Sequence, residues 1–201
     1  METLRWNKNP FFYKFAGINY NCHNLHKWWD KRLFNWTYSS YLAKYCSSCF
    51  EKWWDPETYN WESVNALIRY CPQYFHIWWN PEKFNWKPRS TRLLMNYLKE
   101  KFDIWWNPNR FPWKTNTIYL IKDFPHKFLT WWDEERFPWH TRWEGIPIEA
   151  MLIKHCRDYF NVWYFSKYFR LTDELCALLK KYCQDFKDLW AQDYLLYKLT
   201  K

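Results

Sequence analysis

The chain of 201 residues holds only 2 glycines. Glycine-rich loops that let backbone N–H groups cradle a phosphate therefore have no material here. Long apolar runs are also missing. Nothing approaches the roughly 18 consecutive apolar residues of a membrane-spanning helix, and the longest candidate, Phe11 to Ile18, is broken by Lys14. The opening Met1-Glu2-Thr3-Leu4-Arg5 has the wrong charge order for a secretory leader, and no apolar stretch follows it, so none is expected. Acidic residues are outnumbered, 21 Asp and Glu against 30 Lys and Arg, giving a net charge of +9. The 7 cysteines are odd in number and too sparse for a small disulfide scaffold, so a reducing cytoplasm is the expected compartment.

Aromatic residues are abundant: 19 Trp, 16 Tyr and 16 Phe, a quarter of the chain. The mean hydropathy of −0.73 is low because the scale counts Trp and Tyr as polar. Disordered chains are poor in aromatics, so a folded chain is expected.

The tryptophans follow a pattern. The stretch Trp78-Trp79-Asn80-Pro81-Glu82-Lys83-Phe84-Asn85-Trp86 has near-copies at Trp28 to Trp36, Trp53 to Trp61, Trp105 to Trp113 and Trp131 to Trp139. A second pattern precedes each Trp pair. It reads Leu42, Tyr45-Cys46, Phe50, then Leu67-Ile68, Tyr70-Cys71, Phe75, then Leu93-Leu94, Tyr97-Leu98, Phe102, then Leu120-Ile121, Phe124, Phe128. The residue three before each pair falls at 25, 50, 75, 102 and 128, a period of 25 to 27. Looser copies run from Leu152 through His155-Cys156 and Phe160 to Trp163-Tyr164, and from Leu178-Leu179 through Tyr182-Cys183 and Phe186 to Leu189-Trp190.

Apolar spacing of i, i+3/4, i+7/8 and i+11/12 within a repeat predicts one helix of about 14 residues, running through the Trp pair. Ser39-Ser40, Ser63, Ser90-Thr91 and Thr115-Asn116 stand where its N-cap belongs. The Asp/Asn-Pro step ends it, because proline disfavours the α conformation of the preceding residue. The same step can open a single turn capped by Asp55, with Pro56 and Glu57 in its first positions. The reading is an all-α fold, an α-solenoid of about seven repeats forming one domain. Residues 1–19 form an atypical N-terminal cap, 20–139 the regular repeats, 140–147 an insertion, and 148–201 divergent C-terminal repeats and a cap. A new helix is expected near Pro147-Ile148, and a last one from Thr172-Asp173-Glu174 to about Lys198.

Fifteen of the 19 tryptophans occupy the same three repeat positions, the behaviour of core wedges; Trp6 and Trp143 are off register and freer to meet a ligand. Positive charge is unevenly spread. Residues 1–50 hold seven Lys and Arg against two acids, and residues 82–127 ten against four. The position before the linker aromatic reads Leu33, Thr58, Lys83, Arg110, Arg136, and the one after the linker Trp reads Thr37, Glu62, Lys87, Lys114, His140. Equivalent positions of packed helices stand about 10 Å apart. Lys83, Arg110 and Arg136 are thus expected to form one basic ladder and Lys87, Lys114 and His140 another, flanked by Arg89, Arg92 and Arg142. Such a strip fits phosphates or an acidic partner; a solvated face is the plainer alternative.

Cys22-x3-His26 with Cys46-x2-Cys49 has a zinc-like spacing. Against it, Cys46, Cys71 and Cys156 share one repeat position beside an aromatic, the place of a small core residue. His155 occupies a position filled by Tyr elsewhere and reads as packing. Asp133-Glu134-Glu135 reads as a helix start. No nucleophile–base set is identifiable, so neither an enzyme nor a cofactor is expected.

The motif Trp-Trp-(Asp/Asn)-Pro-Glu-x-(Phe/Tyr)-Asn-Trp resembles that of Trp-rich short-repeat proteins of bacteriophage and mobile elements, over residues 20–165. The resemblance implies a phage-type accessory protein in the host cytoplasm, acting on a host defence system such as a CRISPR nuclease. Two readings follow for the partner, with no membrane involved: a protein or ribonucleoprotein gripped by a non-enzymatic scaffold, or nucleic acid held by the Lys/Arg ladders. A third is a nucleotide messenger in an aromatic- and arginine-lined pocket.

Overall fold

The computed structural model describes residues 29–32 and 34–199. The proposed N-terminal cap and the Cys22/His26 pair lie outside them. The chain divides into two compact units, Met1–Trp105 and Trp106–Lys201.

In the first unit the longer helices are α1 (Ser39–Tyr45), α3 (Val64–Tyr70) and α5 (Pro88–Tyr97), each followed by one short α-turn: α2 (Phe50–Trp53), α4 (Phe75–Trp78) and α6 (Phe102–Trp105). α1 packs on α3, and α3 on α5. The second unit repeats the plan with α7 (Trp113–Asp123), α8 (Phe128–Trp131), α9 (Ile148–His155), α10 (Phe160–Trp163), α11 (Asp173–Tyr182) and α12 (Lys187–Leu199). There α7 packs on α9, and α9 on α11.

The expected 14-residue helix is broken. α1 stops at Tyr45, and Cys46 leaves the helical region at φ −122°, ψ 25°. Cys71, Leu98, Phe124, Cys156 and Cys183 do the same at φ between −131° and −119°. A 3₁₀ turn follows each break, and then a short α-turn or, after Cys183, the 13-residue α12. Hydrogen bonding explains the break. The Cys46 N–H still donates to Leu42 O (2.8 Å), but the Cys46 carbonyl accepts from Cys49 N at 3.0 Å and from the Trp53 indole Nε1 at 2.8 Å. Both lone pairs are engaged, so no carbonyl is orphaned. The indole contact recurs at a separation of seven from Trp78, Trp105, Trp131, Trp163 and Trp190, at 2.8–2.9 Å.

Each Trp of the motif has its own task. The first (Trp53, Trp78, Trp105, Trp131) is fully buried. The second stacks on the Phe four residues back: Trp54 on Phe50 at 5.1 Å, Trp79 on Phe75 at 5.1 Å, Trp132 on Phe128 at 4.9 Å. The third meets the second edge-on and ties the linker down, donating to the carbonyl five residues back, as Trp61 does to Pro56 (3.0 Å) and Trp86 to Pro81 (2.9 Å). Between repeats, Phe50 stacks on Tyr74 (4.6 Å, 9°), Phe128 on Tyr159 (4.6 Å, 12°) and Phe160 on Phe186 (4.5 Å, 7°). Such ring pairs add about 0.5–1.5 kcal/mol each beyond burial. Trp143 is not free either; it packs edge-on against Tyr119 at 5.7 Å.

The linker turn forms as expected. Asp55 Oδ1 accepts from Glu57 N at 3.0 Å, and Tyr59 N closes one α-turn on Asp55 O at 2.9 Å. Capping of the next segment falls to the linker asparagines rather than the serines: Asn35 accepts from Thr37 N and Asn60 from Glu62 N, while Ser63 makes no side-chain cap. Thr172 does cap α11, accepting from Leu175 N at 3.2 Å. The last helix, expected to be continuous, breaks at Cys183 like the others. Trp190 then takes the place of the first Trp, and Phe186 that of Tyr159, one residue off the register the sequence suggests.

The insertion is not helical. Arg142–Trp143 pairs antiparallel with Ile146–Pro147. Glu144 (φ 50°) and Gly145 (φ 83°) turn the hairpin in the left-handed region, the geometry of a tight two-residue turn. Cys46, Cys71, Cys156, Cys176 and Cys183 are free and buried, whereas Cys49 is disulfide-bonded. Among the described residues no His, Cys, Asp or Glu cluster is placed to hold a metal, and no helix is long and apolar enough to cross a membrane.

Candidate functional site

The two expected basic ladders contain residues with structural work. Lys83 Nζ donates to Glu57 Oε1 (2.7 Å) and Pro56 O (3.1 Å) of the preceding repeat. Lys87 Nζ reaches Glu62 Oε2 at 2.8 Å, which also takes Asn85 Nδ2 at 3.0 Å. Arg136 donates to Asp133 (3.1 Å) and to Asn109 (2.7 Å) of the repeat before. These side chains clasp one linker to the next. His140, in the left-handed region, gives its backbone N–H to the buried Glu149 carboxylate at 2.6 Å, and its Nδ1 lies 3.2 Å from the same oxygen. Arg142 bonds Gly145 O and, at 2.8 Å, Glu174. Arg110 and Lys114 are exposed at the start of the second unit. Arg89 and Arg92 are exposed on α5.

A different position carries repeated, outward-facing chemistry. The main helices of the first unit all end on tyrosine, and all three tyrosines are open: Tyr45 42%, Tyr70 38% and Tyr97 51% exposed. The residue before each is polar and exposed: Lys44, Arg69, Asn96. In the second unit the same pair of positions reads Lys122-Asp123, Lys154-His155 and Lys181-Tyr182. Lys44 Nζ sits 4.8 Å from the centre of the Tyr45 ring, and Lys181 Nζ 5.1 Å from that of Tyr182. The Lys44 pKa is raised, first by a side-chain hydrogen bond to Tyr45 and more weakly by Tyr70 and Tyr41. Tyr41 stacks on Tyr45 at 6.0 Å and 27°. His155 is held below its ordinary pKa by burial, then by Lys154 and Lys122.

Helical apolar spacing, which Tyr continues, predicts these tyrosines inside the core. In the structure Leu42 and Cys46, Leu67 and Cys71, and Leu94 and Leu98 carry the core face, and tyrosine lies at its margin. A basic residue before the helix end in five of six repeats was the available signal. Over α1, α3 and α5 there is no Asp or Glu, against four cations, Lys44, Arg69, Arg89 and Arg92. The exposed aliphatics of this unit, Ile77 and Ile104, belong to α4 and α6 instead.

Comparison with protein families, with curated proteins and with solved structures finds no match for the chain.

Proposed function

We propose that the chain is a non-enzymatic binding scaffold, an α-solenoid of about seven 25–27-residue repeats that offers equivalent surface residues from successive repeats to an acidic macromolecular partner. The observation that carries this reading is the acid-free outer face of α1, α3 and α5, where Lys44-Tyr45, Arg69-Tyr70 and Asn96-Tyr97 stand at the same place on helices packed side by side. Arg and Tyr are the residues over-represented where binding energy concentrates. The phage resemblance supports neutralisation of a host defence complex as the setting. The five free buried thiols support a reducing cytoplasm; the disulfide at Cys49 pulls the other way. A second reading, protein contacts through the short α-turns, is favoured by Ile77 and Ile104, which are 39% and 60% exposed at the same repeat position.

The test compares two charge reversals on immobilised heparin. Lys44→Glu/Arg69→Glu and Lys83→Glu/Lys87→Glu lower net charge equally. The first pair should elute at clearly lower salt than the second, because Lys83 and Lys87 are already committed to Glu57 and Glu62. Co-elution of the two variants overturns the assignment of this face.

A further inference from the structure

We propose that the outer face of α1, α3 and α5 binds single-stranded nucleic acid, with one base stacked on each of Tyr70 and Tyr97 and the neighbouring phosphates held by Lys44 and Arg69. This deepens, and rests on, the scaffold reading above.

Three features select this partner among acidic ones. First, aromatic and cation are neighbours in the chain at one repeated place, Lys44-Tyr45 and Arg69-Tyr70, so two of the three repeats set a phosphate contact beside a ring. That pairing of stacking platform with backbone charge is the chemistry of single-strand binding. Second, the face lacks exposed aliphatic residues. On these three helices the exposed side chains are Tyr41, Lys44, Tyr45, Arg69, Tyr70, Pro88, Arg89, Arg92, Asn96 and Tyr97. A protein interface has an apolar core inside a polar rim, whereas a nucleic acid needs rings and charge. Third, packed helices stand about 8–10 Å apart, so Tyr70 and Tyr97 offer two ring faces separated by about one helix spacing. Helical-repeat proteins that take one base per repeat use such an arrangement. A duplex keeps its bases stacked internally and cannot use the ring faces. The Tyr45 ring already carries Tyr41 and the Lys44 ammonium, so the bases fall to Tyr70 and Tyr97.

The tyrosines are exposed enough to be changed without emptying the core. The full chain is titrated with fluorescent oligo-dT and oligo-rU of about 12 nucleotides, with a duplex of the same length, and with polyglutamate. Wild type should bind both single strands more tightly than the duplex. Tyr70→Ser should weaken binding by roughly 5- to 150-fold, the range that loss of one base stack implies. Tyr70→Phe should retain it, and melting curves should show both variants folded. Lys44→Gln/Arg69→Gln should flatten the slope of log K against log salt by about 1.4, the value for two phosphates of a single strand. Unchanged affinity in folded Tyr70→Ser and Tyr97→Ser variants overturns the stacking proposal. Binding of polyglutamate in place of the oligonucleotides also overturns it, while leaving the scaffold reading intact and assigning an acidic protein. If no polyanion binds and Lys44→Glu/Arg69→Glu leaves heparin retention unchanged, both readings fail.

Discussion

The indole N–H of Trp53 donates to the Cys46 carbonyl, seven residues back and 2.8 Å away. In a continuous helix the same carbonyl would accept from the Phe50 N–H instead. The indole bond fixes the place at which the main helix yields to the short turn, and with it the direction in which the Trp pair enters the core. Six tryptophans across the two units make the same bond.

Trp78→Phe keeps a ring in the core but leaves the buried Cys71 carbonyl with one partner fewer. The expected loss is about 1–3 kcal/mol, the cost of an unmade buried hydrogen bond. Trp78→Ala adds a cavity and should lose about 3–5 kcal/mol. Urea unfolding of the two variants checks both values, and a fully stable Trp78→Ala protein contradicts the buried wedge.

Lys83→Glu should cost no more than about 1 kcal/mol, because Glu57 is 79% exposed and a solvent-facing pair gains little net energy. The reciprocal exchange, Glu57→Lys with Lys83→Glu, should restore most of the loss. A double-mutant cycle in thermal unfolding measures the coupling, and a coupling of zero removes the clasp.

Asp55 is held at a pKa of about 2, below its usual 3.8, first by Lys31 and then by Thr58 and the Glu57 N–H. The folded carboxylate therefore binds its proton less readily than the unfolded one. Its contribution is complete above about pH 4 and drains away as pH falls towards 2, on the order of 2 kcal/mol in all. Asp55→Asn should flatten stability against pH in that window. A parallel pH profile for variant and wild type speaks against the assignment.

Burial pushes the thiols of Cys46 up to about 11 and of Cys71 and Cys156 up to about 12. The thiolate is the reactive form, so these residues should label with iodoacetamide only on unfolding. Mass spectrometry of native protein after brief labelling at pH 8 tests this. Rapid modification of Cys71 in the folded state counts against its burial beneath α1, where its Sγ meets Ala43 O at 3.6 Å.

Much of the helical architecture is readable from the chain. The recurrence of Trp78 to Trp86 identifies the joint, Asn80-Pro81 its turn, and Thr172 the start of α11. The break at Cys46 is not readable, because apolar spacing runs on through the 3₁₀ turn with nearly the same period as an α-helix. The tyrosines escape the pattern for a related reason: Tyr45 falls on the core stripe by spacing, yet its side chain is exposed. Lys83 aligns in the sequence with Arg110 and Arg136 of later repeats, but its pairing with Glu57, about one period earlier, is seen only in the structure. The hairpin at 142–147 was visible only as a lapse in the period around Gly145.

The clasps bear on how a chain of near-copies avoids confusing them. Trp53 and Trp78 sit in almost identical surroundings, so a repeat could in principle settle against the wrong neighbour. Glu57 with Lys83 and Glu62 with Lys87 make neighbours unlike, acid on one linker and base on the next. Two of either kind brought together would repel. Weak as they are in stability, these two pairs act as an address at one junction, marking the linker of Glu57 and Glu62 as the copy that comes before that of Lys83 and Lys87.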